Sequence, residues 1–132
     1  MKIISFIFVL ILFLGCSDDA YITHYNKKVT HLSCLKLKTK DILLWSKLSK
    51  LYSFEKNCAY ELRASQKSGI VCNSNQNAPK KALSNFPHGF LRLDIYGKKE
   101  GLIYSYYLDT DNKVSESMIE KGFTKIKEEF GL

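Results

Sequence analysis

Cys16, Cys34, Cys58 and Cys72 are the most reactive side chains that this 132-residue chain offers. A thiol can cross-link, hold a metal, attack a carbonyl or be modified, and its neighbours and spacing decide among these. His31-x-x-Cys34 with Cys58 and Cys72 would supply four zinc ligands, yet no two cysteines stand at the close spacing of a zinc knuckle. Oxidation of the same thiols competes, and no metal site is expected. Asp109, Asp111 and Glu120 occupy the first, third and last positions of a calcium-loop pattern, but Lys113 takes a ligand position and Val114 replaces the turn glycine. That stretch reads as a polar connection from a strand to a helix. A cysteine nucleophile needs a nearby base or helix N-terminus, and the sequence sets neither beside any thiol. With no G-x-S-x-G elbow, H-E-x-x-H pair or phosphate-cradling glycine loop, a non-enzymatic chain without cofactors is expected.

Cys16 differs from the other three by what precedes it. Lys2 gives a positive start, and residues 3–14 are apolar except for Ser5. A membrane-spanning helix needs about 20 apolar residues, whereas the core of an export signal needs about 7 to 15. An export signal is therefore the reading, and no alanine precedes Ala20 to make an A-x-A-like cleavage site. The tetrad Phe13-Leu14-Gly15-Cys16 resembles the lipobox of bacterial lipoproteins, with Phe13 standing where that family usually has Leu. The resemblance covers residues 1–16. It implies diacylation of the Cys16 sulfur, cleavage before it and acylation of the new amino group. Each buried methylene adds about 0.8 kcal/mol, so two or three chains anchor a protein durably where one holds weakly. Ser17 after the cysteine, with the acids delayed to Asp18 and Asp19, resembles the outer-membrane sorting of such lipoproteins.

The remaining cysteines and the charge follow from that compartment. An oxidising environment favours one disulfide among Cys34, Cys58 and Cys72 and leaves one thiol over. Cys58 and Cys72 flank an expected hairpin in which they fall out of register, so Cys34 pairs with Cys72 or with Cys58. The formal charge is +7, and Lys2 would leave with the signal. A basic protein attracts anions. An exported, lipid-anchored chain is not expected to meet nucleic acid, which leaves membrane headgroups, cell-wall polymers or an acidic envelope protein. The lysines are scattered along the chain, as on a solvated surface.

These residues must be positioned by a small α+β domain. Residues 1–15 are the signal, residues 16–28 a lipidated cysteine and polar tether, and residues 29–132 one domain. At about 3.3 Å per residue the tether reaches roughly 40 Å from the membrane. A strand is expected over residues 29–37. Leu44, Leu48, Leu51 and Tyr52 recur at helical spacing after a capping Thr39 or Asp41. A hairpin is expected over residues 59–73, then a loop over residues 73–87 with one helical turn at residues 80–83. FLRLDIY and LIYSYYLD bracket GKKEG as a second hairpin. Ser117 and Glu120 suggest a capping box for a last helix whose Ile119, Phe123, Ile126 and Phe130 form one stripe before Gly131. The expected fold is an antiparallel sheet of about five strands with two hairpins and both amphipathic helices on one face.

In the second hairpin, a loop from Gly97 to Gly101 sets Tyr96 opposite Leu102, Asp94 opposite Tyr104, Arg92 opposite Tyr106 and Phe90 opposite Leu108. Both sheet faces then become substantially apolar, whereas a sheet covered on one side should keep one face polar. Either another element covers the second face or Arg92, Tyr96, Tyr104 and Tyr106 await a partner. Tyr and Arg are enriched at binding hot spots, and an exposed Arg92–Tyr106 cation-π pair contributes about 0.5 to 1 kcal/mol. The functional expectation is an outer-membrane lipoprotein facing the periplasm that acts as a binding or scaffold module in an envelope complex. The alternative is an inhibitor or immunity-type lipoprotein that blocks an enzyme with GKKEG or residues 73–81; a small envelope enzyme ranks last.

Overall fold

The computed structural model describes residues 20–69, 89–111 and 113–132. The signal, Cys16, Cys72, the second arm of the expected first hairpin and the 73–87 loop lie outside them. The elements in chain order are β1 (Tyr21–His24), β2 (Lys36–Lys38), α1 (Ile42–Leu51), β3 (Tyr60–Lys67), β4 (Gly89–Gly97), β5 (Gly101–Thr110) and α2 (Glu116–Phe130). They form an α+β fold whose five strands are ordered β1-β5-β4-β3-β2.

The sheet grows outward from the β4–β5 hairpin. Its turn spans Lys98, Lys99 and Glu100 and closes at Gly101, whose φ of 72° is left-handed and suits a residue without Cβ. β3 runs antiparallel to β4 from Tyr60 opposite Gly97 to Lys67 opposite Phe90. β2 lies parallel to β3, with Leu37 opposite Leu62. A parallel neighbour requires a crossover, and α1 provides it. Asp41 caps that helix as expected: its Oδ1 accepts from the Leu44 N–H at 2.9 Å. α2 packs beside α1 on the same face.

Side-chain alternation carries the core. Leu62 and Ala64 from β3, Leu91, Leu93 and Ile95 from β4, and Tyr104, Tyr106 and Leu108 from β5 meet Leu44 and Leu48 from α1. Ile119, Phe123, Ile126 and Phe130 bring the stripe expected of α2. Each large side chain buried this way contributes about 1.5 to 3 kcal/mol. Gly122 lets α2 sit close to the sheet, because a Cβ there would meet Tyr106 Cε1 at 2.8 Å.

Four local expectations are corrected. Residues 21–24 belong to β1 and not to a free tether; they pair with Tyr107 through Tyr104 on β5. Tyr, Ile and Thr suit a pleated edge, and the open side of β5 supplies a backbone partner. The strand expected over residues 29–37 is reduced to Lys36–Lys38, while Leu32 and Leu35 enter the core from irregular chain. His31 is therefore an exposed residue beside Gly131 and not part of a strand. β3 has β4 on one side and, over Glu61–Arg63, β2 on the other, so Leu62 faces Ile95 and Leu37; the return arm expected at residues 70–73 lies outside the described residues. The cap of α2 is Ser115, whose Oγ accepts from the Met118 N–H at 3.2 Å; Ser117 is inside the helix.

Cys34 and Cys58 form a disulfide with their Cα atoms 6.0 Å apart, one of the two expected pairings. It ties the segment before β2 to the segment before β3 and encloses α1. No helix among the described residues is long and apolar enough to cross a membrane.

Candidate functional site: the second sheet face

A one-residue bulge decides which side chains reach the surface. Tyr96 lies opposite Leu102, but Ile95 lies opposite Tyr104, which leaves Ile103 as the extra residue of β5. Beyond it Asp94 faces Ser105, Leu93 faces Tyr106 and Arg92 faces Tyr107. A shift of one residue exchanges the two faces of a strand. Tyr104, Tyr106 and Leu108 thus join Leu91, Leu93 and Ile95 beneath the helices, while Ser105 and Tyr107 join Arg92 and Asp94 on the opposite face. The expectation of two apolar faces came from an unbulged register. One face is apolar and covered, and no described helix covers the other.

The same shift divides the four expected partner-binding residues. Arg92 and Tyr96 are on the face that no described helix covers. Tyr104 is 0% exposed and Tyr106 5% exposed, so neither presents a surface to a partner. Tyr104 instead packs edge-on against Phe130 and His24. Burial pushes its phenol up to about 12, with the charge of Glu129 adding to the effect. Arg92 stands opposite Tyr107, and Tyr106 opposite Leu93 on the core face, so the expected Arg92–Tyr106 register is not the one adopted.

A different cation-π pair is present. Arg63 Cζ lies 3.7 Å from the centre of the Tyr96 ring. Its Nε donates to Glu61 Oε1 at 2.7 Å, and that bond, above all, raises the guanidinium beyond arginine's ordinary range. Alternation along β3 places Glu61 and Arg63 on this face, since Leu62 and Ala64 point into the core. Arg92 Nε donates to Asp94 Oδ2 at 2.8 Å, while Ser105 Oγ donates to Asp94 Oδ1 at 2.6 Å. Asp94 is only 6% exposed, yet both its oxygens are engaged. Phe90 stacks on Tyr107 with ring centres 5.6 Å apart, and Tyr21 leans on Tyr107 from β1 at 6.4 Å. Burial, then a hydrogen bond with Asp109, raises the Tyr107 phenol.

Beside Tyr96, at the hairpin end of this face, is an open depression of about 590 Å³. Lys36, Lys56, Arg63 and Lys98 line it together with Glu61. Sequence reading missed the cluster because its cations come from β2, the loop before β3, β3 itself and the hairpin turn. Only the register of three separate strand pairings brings them together.

The described residues contain no group of three or more His, Cys, Asp or Glu placed to hold a metal. Cys34, a possible zinc ligand by spacing, is in the disulfide. The arrangement offers aromatic faces, fixed guanidinium groups and lysine charges, a chemistry of recognition. In comparisons with known proteins, no family model, curated protein or solved structure matches the chain.

Proposed function

We propose that the chain is a non-enzymatic lipoprotein of the bacterial envelope, tied through Cys16 to the outer membrane and facing the periplasm, that docks a protein partner on the second sheet face. The observation that carries the docking surface is the ordered assembly of Arg63 on Tyr96 and Arg92 on Asp94, next to the Phe90–Tyr107 stack. Arg and Tyr held in fixed geometry lose little side-chain freedom on binding, which is how hot spots gain affinity. The lipobox-like tetrad supports the anchor, and a disulfide suits an oxidising compartment.

Two measurements test this reading. A fatty-acid label should enter the wild-type protein and not Cys16→Ser, with the variant released from the membrane fraction. A photo-crosslinking residue at Arg92 or Tyr107 should capture one defined envelope protein that the same residue at Lys121, on α2, does not. Label-free wild-type protein, or equal capture from both faces, would reject it.

A second reading is an inhibitor of the immunity type. The exposed turn Lys98-Lys99-Glu100 favours it, because a basic loop on a rigid hairpin can enter an acidic cleft. Stoichiometric co-purification of an enzyme, released by Lys98→Glu with Lys99→Glu, would distinguish it from a scaffold.

A further inference from the structure

The docking-face reading leaves open what kind of partner segment the face selects, and the charge around Tyr96 is informative. Four cationic side chains line the depression, against a single lining carboxylate, Glu61. That carboxylate is already bonded to Arg63. Glu100 folds back onto Gly97 at the rim. Lys36, Lys56 and Lys98 form no ion pair with any described residue. Three exposed lysines thus stand around the Arg63–Tyr96 pair with no ion-pair partner among the described residues.

We propose that this depression receives an acidic, extended segment of the partner protein, with its carboxylates paired to Lys36, Lys56 and Lys98 and its backbone laid against Tyr96. The inference rests on the second face being the docking surface and adds the chemistry of what docks. A volume of 590 Å³ lies within the span of about 300–1,000 Å³ typical of ligand sites. The cations stand on four separate segments around an open rim. Such a distribution matches single charges spaced along a chain; a compact phosphate calls for convergent backbone donors or a guanidinium fork. Arg63, the one guanidinium lining the depression, is committed to Glu61 and Tyr96. Lysines are mobile point charges and suit an extended run of carboxylates.

The test titrates the mature full chain with a fluorescent deca-glutamate peptide and its deca-glutamine counterpart, read by anisotropy at about 0.05 and about 0.3 M salt. Inorganic phosphate and phosphatidylglycerol vesicles form parallel arms. Expected is binding of the glutamate peptide alone, weakened at least about tenfold at the higher salt because exposed charges are screened. The combined Lys36→Glu, Lys56→Glu and Lys98→Glu variant should lose a further tenfold or more, by the order of several rim charges, while Lys121→Glu with Lys125→Glu on α2 leaves binding unchanged. Single substitutions provide a graded series should the triple variant fold poorly. Equal binding by the triple variant overturns the proposal, as does a charge reversal that abolishes only phosphate or vesicle binding. A crosslink from Tyr107 that survives the triple substitution overturns the acidic-segment inference and leaves the docking face standing; loss of that crosslink together with peptide binding supports both.

Discussion

Asp94 and Ser105 face each other across β4 and β5, and Ser105 Oγ donates to Asp94 Oδ1 at 2.6 Å on a face that no described helix covers. The pair locks the hairpin register from the polar side, while Leu93 opposite Tyr106 locks it from the core. Asp94→Ala leaves a buried hydroxyl without its acceptor and releases Arg92, and should cost about 1–3 kcal/mol. Urea denaturation of Asp94→Ala, Ser105→Ala and the double variant should yield a coupling energy of about 0.5–3 kcal/mol. Strict additivity would show that the bond contributes nothing to stability.

Deleting Ile103 removes the residue that separates the two halves of β5. The bulge would close with Tyr104 still opposite Ile95, so Tyr104, Tyr106 and Leu108 keep facing the core, and the cost is one buried isoleucine, about 2–5 kcal/mol. Circular dichroism of the deletion should show a cooperative transition at a lowered urea midpoint; loss of the transition would mean that the bulge itself is required for the fold. Ile103→Val, which keeps the count, should cost about 0.5–1.5 kcal/mol.

The Cys34–Cys58 bridge spans a sequence separation of 24 and closes its loop around α1. Loop-closure entropy for that length corresponds to about 3–4 kcal/mol. Cys34→Ser with Cys58→Ser should lower unfolding stability by that order, and reduction of the wild-type protein should reproduce the loss. An unchanged urea midpoint would contradict it.

Tyr104 sets an alkaline limit. Its hydroxyl is buried with no hydrogen-bond partner among the described residues, and burial pushes its phenol up to about 12 against an ordinary 10. Burial favours the neutral form in the folded state, so this contribution is fully present below pH 10 and is lost as pH rises through about 12. Tyr104→Phe removes both the orphaned hydroxyl and the titration. At neutral pH it should be neutral or stabilising by up to about 1 kcal/mol. The difference in melting temperature between variant and wild type should widen from pH 10 to 12.

Gly122 reverses an ordinary rule. An exposed glycine within a helix costs about 1 kcal/mol relative to alanine, but here a Cβ would press on the Tyr106 ring. Gly122→Ala should destabilise by about 1–3 kcal/mol through overpacking. A rise in melting temperature would mean that α2 can lift from the sheet at little cost.

The helices were the most legible elements. Leu44 and Leu48 in α1, and Ile119 through Phe130 in α2, lie on one face by local spacing alone, and the left-handed Gly131 ends α2 where the stripe stops. The β4–β5 turn was legible for the same reason, since Gly97 and Gly101 enclose it. What was hidden depends on partners distant in sequence. No local pattern states that Tyr21–His24 will find the open edge of β5, or that β3 will pair with β4 across residues 68–88. The bulge is hidden differently: Leu102 and Ile103 are both apolar, so alternation alone does not reveal which one is supernumerary. That single ambiguity moved Tyr104 and Tyr106 from the proposed surface into the core and left Tyr107 unnoticed.

The incorporation of β1 also has a mechanical meaning. Its four residues form rungs with β5, and just past them the Ile103 carbonyl accepts from the N–H groups of Tyr25 and Asn26 at 2.8 and 3.2 Å. Among the described residues, tension applied at Ala20 would therefore reach those rungs first. A pull along the strand would strain them together, whereas a pull across it would open them singly, beginning at Tyr21. The outermost strand is the seam that such a pull would test, and its direction would decide whether the rungs hold or unzip.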